Sequence, residues 1–198
     1  MNRAIFLDRD GVINPMVYDP EHGFVDSPAN PAQFELCPDA STAVRVINEM
    51  GFLAVIASNQ PGIAKGKYVP RLLDAMREKM LDGIAAGGGR IDGVYYCLHH
   101  PEARLSAYRV SCDCRKPKPG LLVQASLDLK IDLRRSYMVG DGLVDVAAGR
   151  SAGCRTVLLG ALKCDLCRLM DDGNRPDFTA DGLLEAVQLI RTLEEENA

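Results

Sequence analysis

The chain has 198 residues, 47% of them apolar and 25% charged, and 23 Lys and Arg against 27 Asp and Glu give a formal charge of −4. That is an ordinary globular composition, long enough for one domain with a sizeable core. It excludes a basic nucleic-acid footprint, and no run approaches the roughly 20 apolar residues of a membrane span.

The first element is Ala4-Ile5-Phe6-Leu7, which runs straight into Asp8-Arg9-Asp10-Gly11. A short apolar run closed by a Gly turn reads as a buried strand of a parallel sheet. Open α/β sheets bind ligands at the carboxyl ends of such strands. Residues i and i+2 of a strand point the same way, so Asp8 and Asp10 start out close together. Crowded carboxylates ask for a hard cation such as Mg²⁺. They also suit phosphoryl transfer, with one aspartate attacking phosphorus and the other moving the proton. A solvated acidic turn explains Asp-x-Asp alone equally well, so the case rests on the motifs downstream. No long apolar segment precedes Asp8, so no export signal and a cytoplasmic location are expected.

The stretch 15–38 contains Pro20, Pro28 and Pro31. It reads as a loop with a short hairpin, placed as a flap over the site. His22-Gly23-Phe24-Val25 is within it, as ligand contact or flap packing. A helix is expected over 39–50, with Asp39 or Ser41 as N-cap and Gly51 as stop. A second buried strand, 52–57, ends in Ser58-Asn59-Gln60-Pro61-Gly62. Ser58 or Asn59 there, backed by backbone N–H groups, suits a phosphate oxygen; a bare turn is an even alternative. A long amphipathic helix is expected over 69–86, then a strand over 93–97.

Seven Cys, an odd number, include a cluster: Cys97-Leu98-His99 and Cys112-Asp113-Cys114. Three thiols and an imidazole make a closed, tetrahedral zinc set, which is structural because no position is left for substrate. Pairing geometry favours His99 over His100. Free thiols in an ordinary loop are the competing reading. The zinc loop spans about 97–116 and ends in Arg115-Lys116-Pro117, so the metal would fix two cations in space. Lys116 would neutralise crowded anions, and Arg115 would grip a substrate oxygen pair with its fork; taken alone, these residues read as a solvated basic turn. Cys164-x-x-Cys167 reads as two surface thiols, and Cys37 and Cys154 as small buried residues.

A helix over 121–129 and a strand over 137–139 lead into Gly140-Asp141-Gly142-Leu143-Val144-Asp145. Asp141 falls at the same sheet edge as Asp8 and would complete a Mg²⁺ site. Asp145 helps position the metal or caps the next helix, 146–152. Strands at 155–159 and 178–179 and a helix at 183–193 close the chain. The alternation favours a Rossmann-like, doubly wound parallel sheet forming a single domain over 1–198.

Asp8-x-Asp10-Gly11, Ser58-Asn59-Gln60, Lys116 and Gly140-Asp141-x-x-x-Asp145, in that order, resemble the four motifs of the haloacid dehalogenase (HAD) superfamily of phosphatases. Cys97-x-His99 with Cys112-Asp113-Cys114-Arg115-Lys116-Pro117 is similar to its zinc-bearing subgroup. The resemblance covers Ala4 to about Gly160. It implies a HAD-like fold with no large cap domain, the flap and zinc loop shaping the pocket. It implies Asp8 as nucleophile and Asp10 as acid/base. Mg²⁺ would be held by the Asp8 carboxylate, the Asp10 carbonyl and Asp141. Ser58, Asn59 and Lys116 would bind the transferring phosphoryl group, and Arg115 the rest of the substrate. The substrate it implies is a small phosphorylated sugar, foremost heptose 1,7-bisphosphate losing its 7-phosphate, with histidinol phosphate as the alternative. A zinc-stapled binding module without catalysis is the reading from another class. No nucleic acid or membrane partner is expected, and a monomer is. Gly142 departs from the family, which often has Ser or Lys there, and the stretch 15–31 is long.

Overall fold

The structure is a computed structural model that describes residues 1–21, 23–160 and 175–196. His22 and the Cys164/Cys167 pair fall outside the described residues.

Ala4–Leu7 forms β1, whose side chains are all fully buried. A strand this apolar on both faces belongs in the middle of a covered parallel sheet. It pairs in parallel with β4 (Leu53–Asn59) through Ala4↔Leu53 to Leu7↔Ile56, and with β6 (Tyr137–Gly140) through Ile5↔Tyr137 to Leu7↔Val139. Outward on one side lies β5 (Gly93–Cys97); on the other lie β7 (Arg155–Leu159) and β8 (Phe178–Ala180). The sheet order is β5-β4-β1-β6-β7-β8, and every pairing in it is parallel.

The alternation of β1 separates two cores. Ile5 and Leu7 face α1 (Ala40–Glu49), α2 (Pro70–Ala86) and α5 (Leu183–Glu196). Ala4 and Phe6 face α3 (Gly120–Leu129), while α4 (Leu143–Ala152) covers β6 and β7. The chain winds outward from β1 to β5, then returns to β6 and winds the other way. Right-handed crossovers in opposite directions put helices on both faces. The doubly wound sheet expected from the sequence is present, and no cap domain occurs among the described residues.

Two boundaries beside the site differ from expectation. β4 runs two residues past Ala57, because Ser58 and Asn59 pair with Tyr96 and Cys97 of β5. Backbone pairing continues there regardless of side-chain polarity. α4 begins at Leu143 because Asp145 reaches back, its Oδ2 accepting from the Gly142 N–H at 3.1 Å. Within the flap, β2 (Val17–Asp19) and β3 (Phe24–Asp26) form an antiparallel hairpin. Asp26 ties it to Lys67 by an ion pair.

Candidate active site

Reversal of the winding direction opens a crevice beyond the carboxyl ends of β1 and β6, the standard ligand position in such sheets. Asp8 follows β1 and Asp141 follows β6. The Asp8 N–H donates to the Val139 carbonyl at 3.0 Å, so the ladder holds the backbone of Asp8 against β6. Carboxylate oxygens of Asp8, Asp141 and Asp145 lie within 4.8 Å of one another. The turn between them is tight: Gly11 has φ +82°, and a Cβ there would lie 2.3 Å from Asp141 Oδ2. Only glycine gives that carboxylate room.

Lys116 reaches this cluster from the zinc loop and is only 2% exposed. Its Nζ lies 3.0 Å from Asp8 Oδ1 and 2.5 Å from Asp145 Oδ1, and donates to the Ala57 carbonyl at 2.8 Å. Burial works against its charge, but Asp8 and Asp145 outweigh burial and hold the ammonium above its usual range. Burial pushes the Asp145 carboxyl up to about 7; Lys116 pulls against it, and Asp8 and Asp141 add to it. Three carboxylates gather here around the Lys116 ammonium. An all-oxygen donor set of this kind suits a hard divalent ion such as Mg²⁺.

The remaining residues singled out from the sequence divide. The Asp10 side chain lies outside the carboxylate cluster and is bonded to Arg9, Asn14 and Gln60. Ser58 is 1% exposed, and its Oγ accepts from Gln60 Nε2 at 3.1 Å. Asn59 is clamped to the basic turn: its Nδ2 donates to the Lys116 carbonyl at 3.0 Å and its Oδ1 accepts from the Lys116 N–H at 3.1 Å. In this structure Asn59 therefore sets the place of Lys116 by way of the backbone. Arg115 donates from Nη1 to the His99 carbonyl at 3.2 Å. It lines, with Arg109, Lys116 and Lys118, a cavity of about 470 Å³. A larger groove, about 780 Å³, lies between Phe34–Leu36 and α2 and touches none of these groups.

Arg9, Asn14, Gln60 and Tyr68 were not singled out by sequence reasoning. The one available signal was Arg9, a long cation wedged between two aspartates at the end of a buried strand. The Gln60 contact with Asp10 spans 50 positions of sequence and has no local signature.

The four residues of the Cys/His set converge. Cys114 Sγ lies 3.1 Å from Cys97 Sγ and 3.3 Å from Cys112 Sγ; Cys97 and Cys112 are 3.6 Å apart, and His99 Nδ1 is 3.4 Å from Cys114. Tetrahedral zinc at about 2.3 Å from each sulfur separates thiolates by about 3.8 Å, so the set could hold that ion with a small expansion. His100 lies outside it, with Nδ1 accepting from the Glu102 N–H. One zinc per chain is expected by elemental analysis of the purified protein. Cys112→Ser should remove it and lower the melting temperature by at least about 5 °C; an unchanged zinc content would exclude this set.

Known proteins resemble this chain over most of its length. The HAD-hydrolase-like family matches residues 113–186. The D-glycero-beta-D-manno-heptose-1,7-bisphosphate 7-phosphatase of Escherichia coli (strain K12) is 42% identical over 156 residues, 79% of this chain and 78% of the relative. The protein of the same name from Pasteurella multocida is 37% identical over 193 residues, 98% of this chain and 99% of that one. Among solved structures, the D,D-heptose 1,7-bisphosphate phosphatase from B. bronchiseptica, complexed with magnesium and phosphate, superposes with a TM-score of 0.79 at 27% identity. The match covers 96% of this chain and 99% of that one.

Proposed function

This chain belongs to the HAD-like hydrolases, in the family of the D-glycero-beta-D-manno-heptose-1,7-bisphosphate 7-phosphatases, and from that premise we propose the roles of its residues. The enzyme hydrolyses a phosphomonoester of a sugar bisphosphate, heptose 1,7-bisphosphate, to heptose 1-phosphate and phosphate. The observation that carries the reading is the buried Lys116 joining Asp8 and Asp145 beside Asp141, at the sheet's switch point.

Asp8 is the nucleophile. Its Oδ1 accepts from the Arg9 N–H at 2.7 Å as well as from Lys116, which fixes the carboxylate plane and leaves Oδ2 for phosphorus. The bond from Asp8 to phosphorus forms as the bond to the sugar oxygen breaks. Asp10 gives its proton to that departing oxygen. Asp10 then takes a proton from water as the water attacks the aspartyl-phosphate, and Asp8 leaves with phosphate freed. Lys116 stays beside Asp8 throughout and offsets charge on the phosphoryl group. Mg²⁺ would be held by Asp8, Asp141 and the Asp10 carbonyl; Asp145 lies close enough to share in or orient that set. Bound there, it supplies Lewis-acid charge to the phosphoryl oxygens.

Ser58 contributes its hydroxyl at the pocket floor, and Asn59 acts by holding Lys116. Arg115 faces the far end of the substrate, and the basic cavity beside it has the volume of a sugar phosphate site. A side chain would fit at Gly142, where a Cβ meets nothing closer than 3.5 Å, so glycine there opens the entrance. The unit 1–198 is read as one catalytic domain with flap and zinc loop as its walls. Among the described residues no helix is long and apolar enough to cross a membrane. The cytoplasm, which keeps thiols reduced for zinc, is the proposed location, and a monomer the proposed state.

Phosphate release tests the reading. Purified protein is assayed with and without Mg²⁺ on heptose 1,7-bisphosphate, histidinol phosphate and p-nitrophenyl phosphate. Mg²⁺-dependent turnover with a preference for the heptose of at least about 100-fold in kcat/KM, near 3 kcal/mol, is expected. Preference for histidinol phosphate would move the substrate, and inertness on all three in metal-replete protein would overturn the function.

A further inference from the structure

Arg9 takes no part in the bond-making and bond-breaking steps, yet it is the largest fully buried side chain among the described residues. Its guanidinium lies over the rings of both Phe34 and Tyr96, 5.7 Å from each centroid. Burying a cation is costly unless it is paired, and an apolar side chain of similar length would fill the space without that cost. Packing alone therefore does not account for an arginine here.

Its ion pair is with Asp10. Nε donates to Asp10 Oδ1 at 3.1 Å, and Nη2 donates to Oδ1 at 2.9 Å and to Oδ2 at 3.2 Å. A planar fork held side-on to a carboxylate fixes the plane of that carboxylate, which a point charge does not do. Two more donors complete the cradle: Asn14 Nδ2 to Oδ1 at 3.0 Å and Gln60 Nε2 to Oδ2 at 2.7 Å. The Tyr68 hydroxyl in turn donates to Gln60 Oε1 at 3.3 Å. Tyr68 packs so tightly on the turn that a Cβ at Gly62 would come within 2.1 Å of its ring. The Arg9 backbone is held as firmly, since its carbonyl accepts from the N–H groups of Val12, Ile13 and Asn14.

We propose that Arg9 is a positioning residue: its buried fork, with Gln60 and Asn14 as supports, holds Asp10 in the orientation from which Asp10 hands its proton to the departing sugar oxygen. The inference rests on the acid/base role proposed for Asp10. Proton transfer needs heavy atoms about 2.6–3.2 Å apart, so a carboxyl free to turn loses most of its benefit.

The test compares two leaving groups. An alkoxide needs a proton as it departs; p-nitrophenolate does not. The parameter kcat/KM covers only the steps up to leaving-group release, so it isolates the proton donation. Arg9→Met is expected to lower kcat/KM on the sugar bisphosphate by about 10²-fold, and on p-nitrophenyl phosphate by at least tenfold less than that. Asp10→Asn calibrates the comparison and should show the same selectivity. Equal losses on both esters in an Arg9→Met protein of normal melting temperature would mean a structural role and overturn the proposal, as would no loss on either. Should Arg9→Met fail to fold, Gln60→Leu carries the same comparison, with the same two outcomes deciding. An active Asp10→Asn without selectivity defeats the role of Asp10 itself. Wild type inert on both esters defeats the phosphatase reading, and the inference with it.

Discussion

Asp8→Asn is expected to lower phosphate release from the sugar bisphosphate by at least about 10⁴-fold, the scale on which covalent catalysis depends on its nucleophile. An amide keeps the shape of the side chain and can still accept from the Arg9 N–H, but it does not attack phosphorus. The fold should survive. Lys116 keeps Asp145 as a partner at 2.5 Å, and the cluster loses one of three like charges. Single-turnover phosphate release and a melting curve read the two effects separately. Residual activity above about 1% of wild type, where the nucleophile should be worth 10⁴ or more, would remove Asp8 from the nucleophile's role.

Lys116→Met is expected to be the second most damaging change, and to act on stability as well as rate. Methionine fills the volume of a side chain that is only 2% exposed but brings no charge. Removing one partner of a buried ion pair costs about 3–5 kcal/mol, because the other is left uncompensated. Here two carboxylates, Asp8 and Asp145, lose their shared cation. Activity should fall by about 10³-fold, the usual effect of losing a preorganised charge at the reacting group. The stability loss should carry a pH signature in metal-free protein. Without Lys116, Asp145 has burial and two like-charged neighbours, all raising its proton affinity in the folded state. The folded chain then binds that proton more tightly than the unfolded chain, whose carboxyl titrates near 4. Stability of the variant is therefore retained at low pH and lost as pH rises from about 4 to beyond 7, the value Asp145 takes with Lys116 beside it, so the loss extends to higher pH than in wild type, as urea melts at several pH values would record. A flat profile, or wild-type stability throughout, would mean that Lys116 is not the balancing charge of this cluster.

Much of the site was legible because its signals are local. Asp8 and Asp10 follow a buried strand at the spacing that starts them on one side. Asp141 stands at the end of another strand, and alternating strands and helices put both ends on one edge. The convergence of the Cys/His set was legible from spacing, with His99 in it and His100 outside, since two close pairs on one loop are brought together by loop closure. Nothing local warned that the Asp10 carboxylate would be taken up by Arg9, Asn14 and Gln60, apart from the oddity of Arg9 itself. Nor did any motif place Asn59 on the backbone of Lys116, 57 positions away. The end of β4 was misjudged for a related reason: Ser58 and Asn59 look like a turn until β5 supplies the partners that keep them in the ladder.

The amino-acid sequence by itself determined the doubly wound sheet, its carboxyl-end aspartates and the convergence of the Cys/His set, because periodicity, turn residues and side-chain spacing act over a few residues. Only the tertiary structure decided which carboxylate faces Lys116, which one Arg9 cradles, and where Asn59 points. Those choices are made among buried polar groups, each of which must find its partner across a close-packed interior, and such partners are set by the meeting of distant elements.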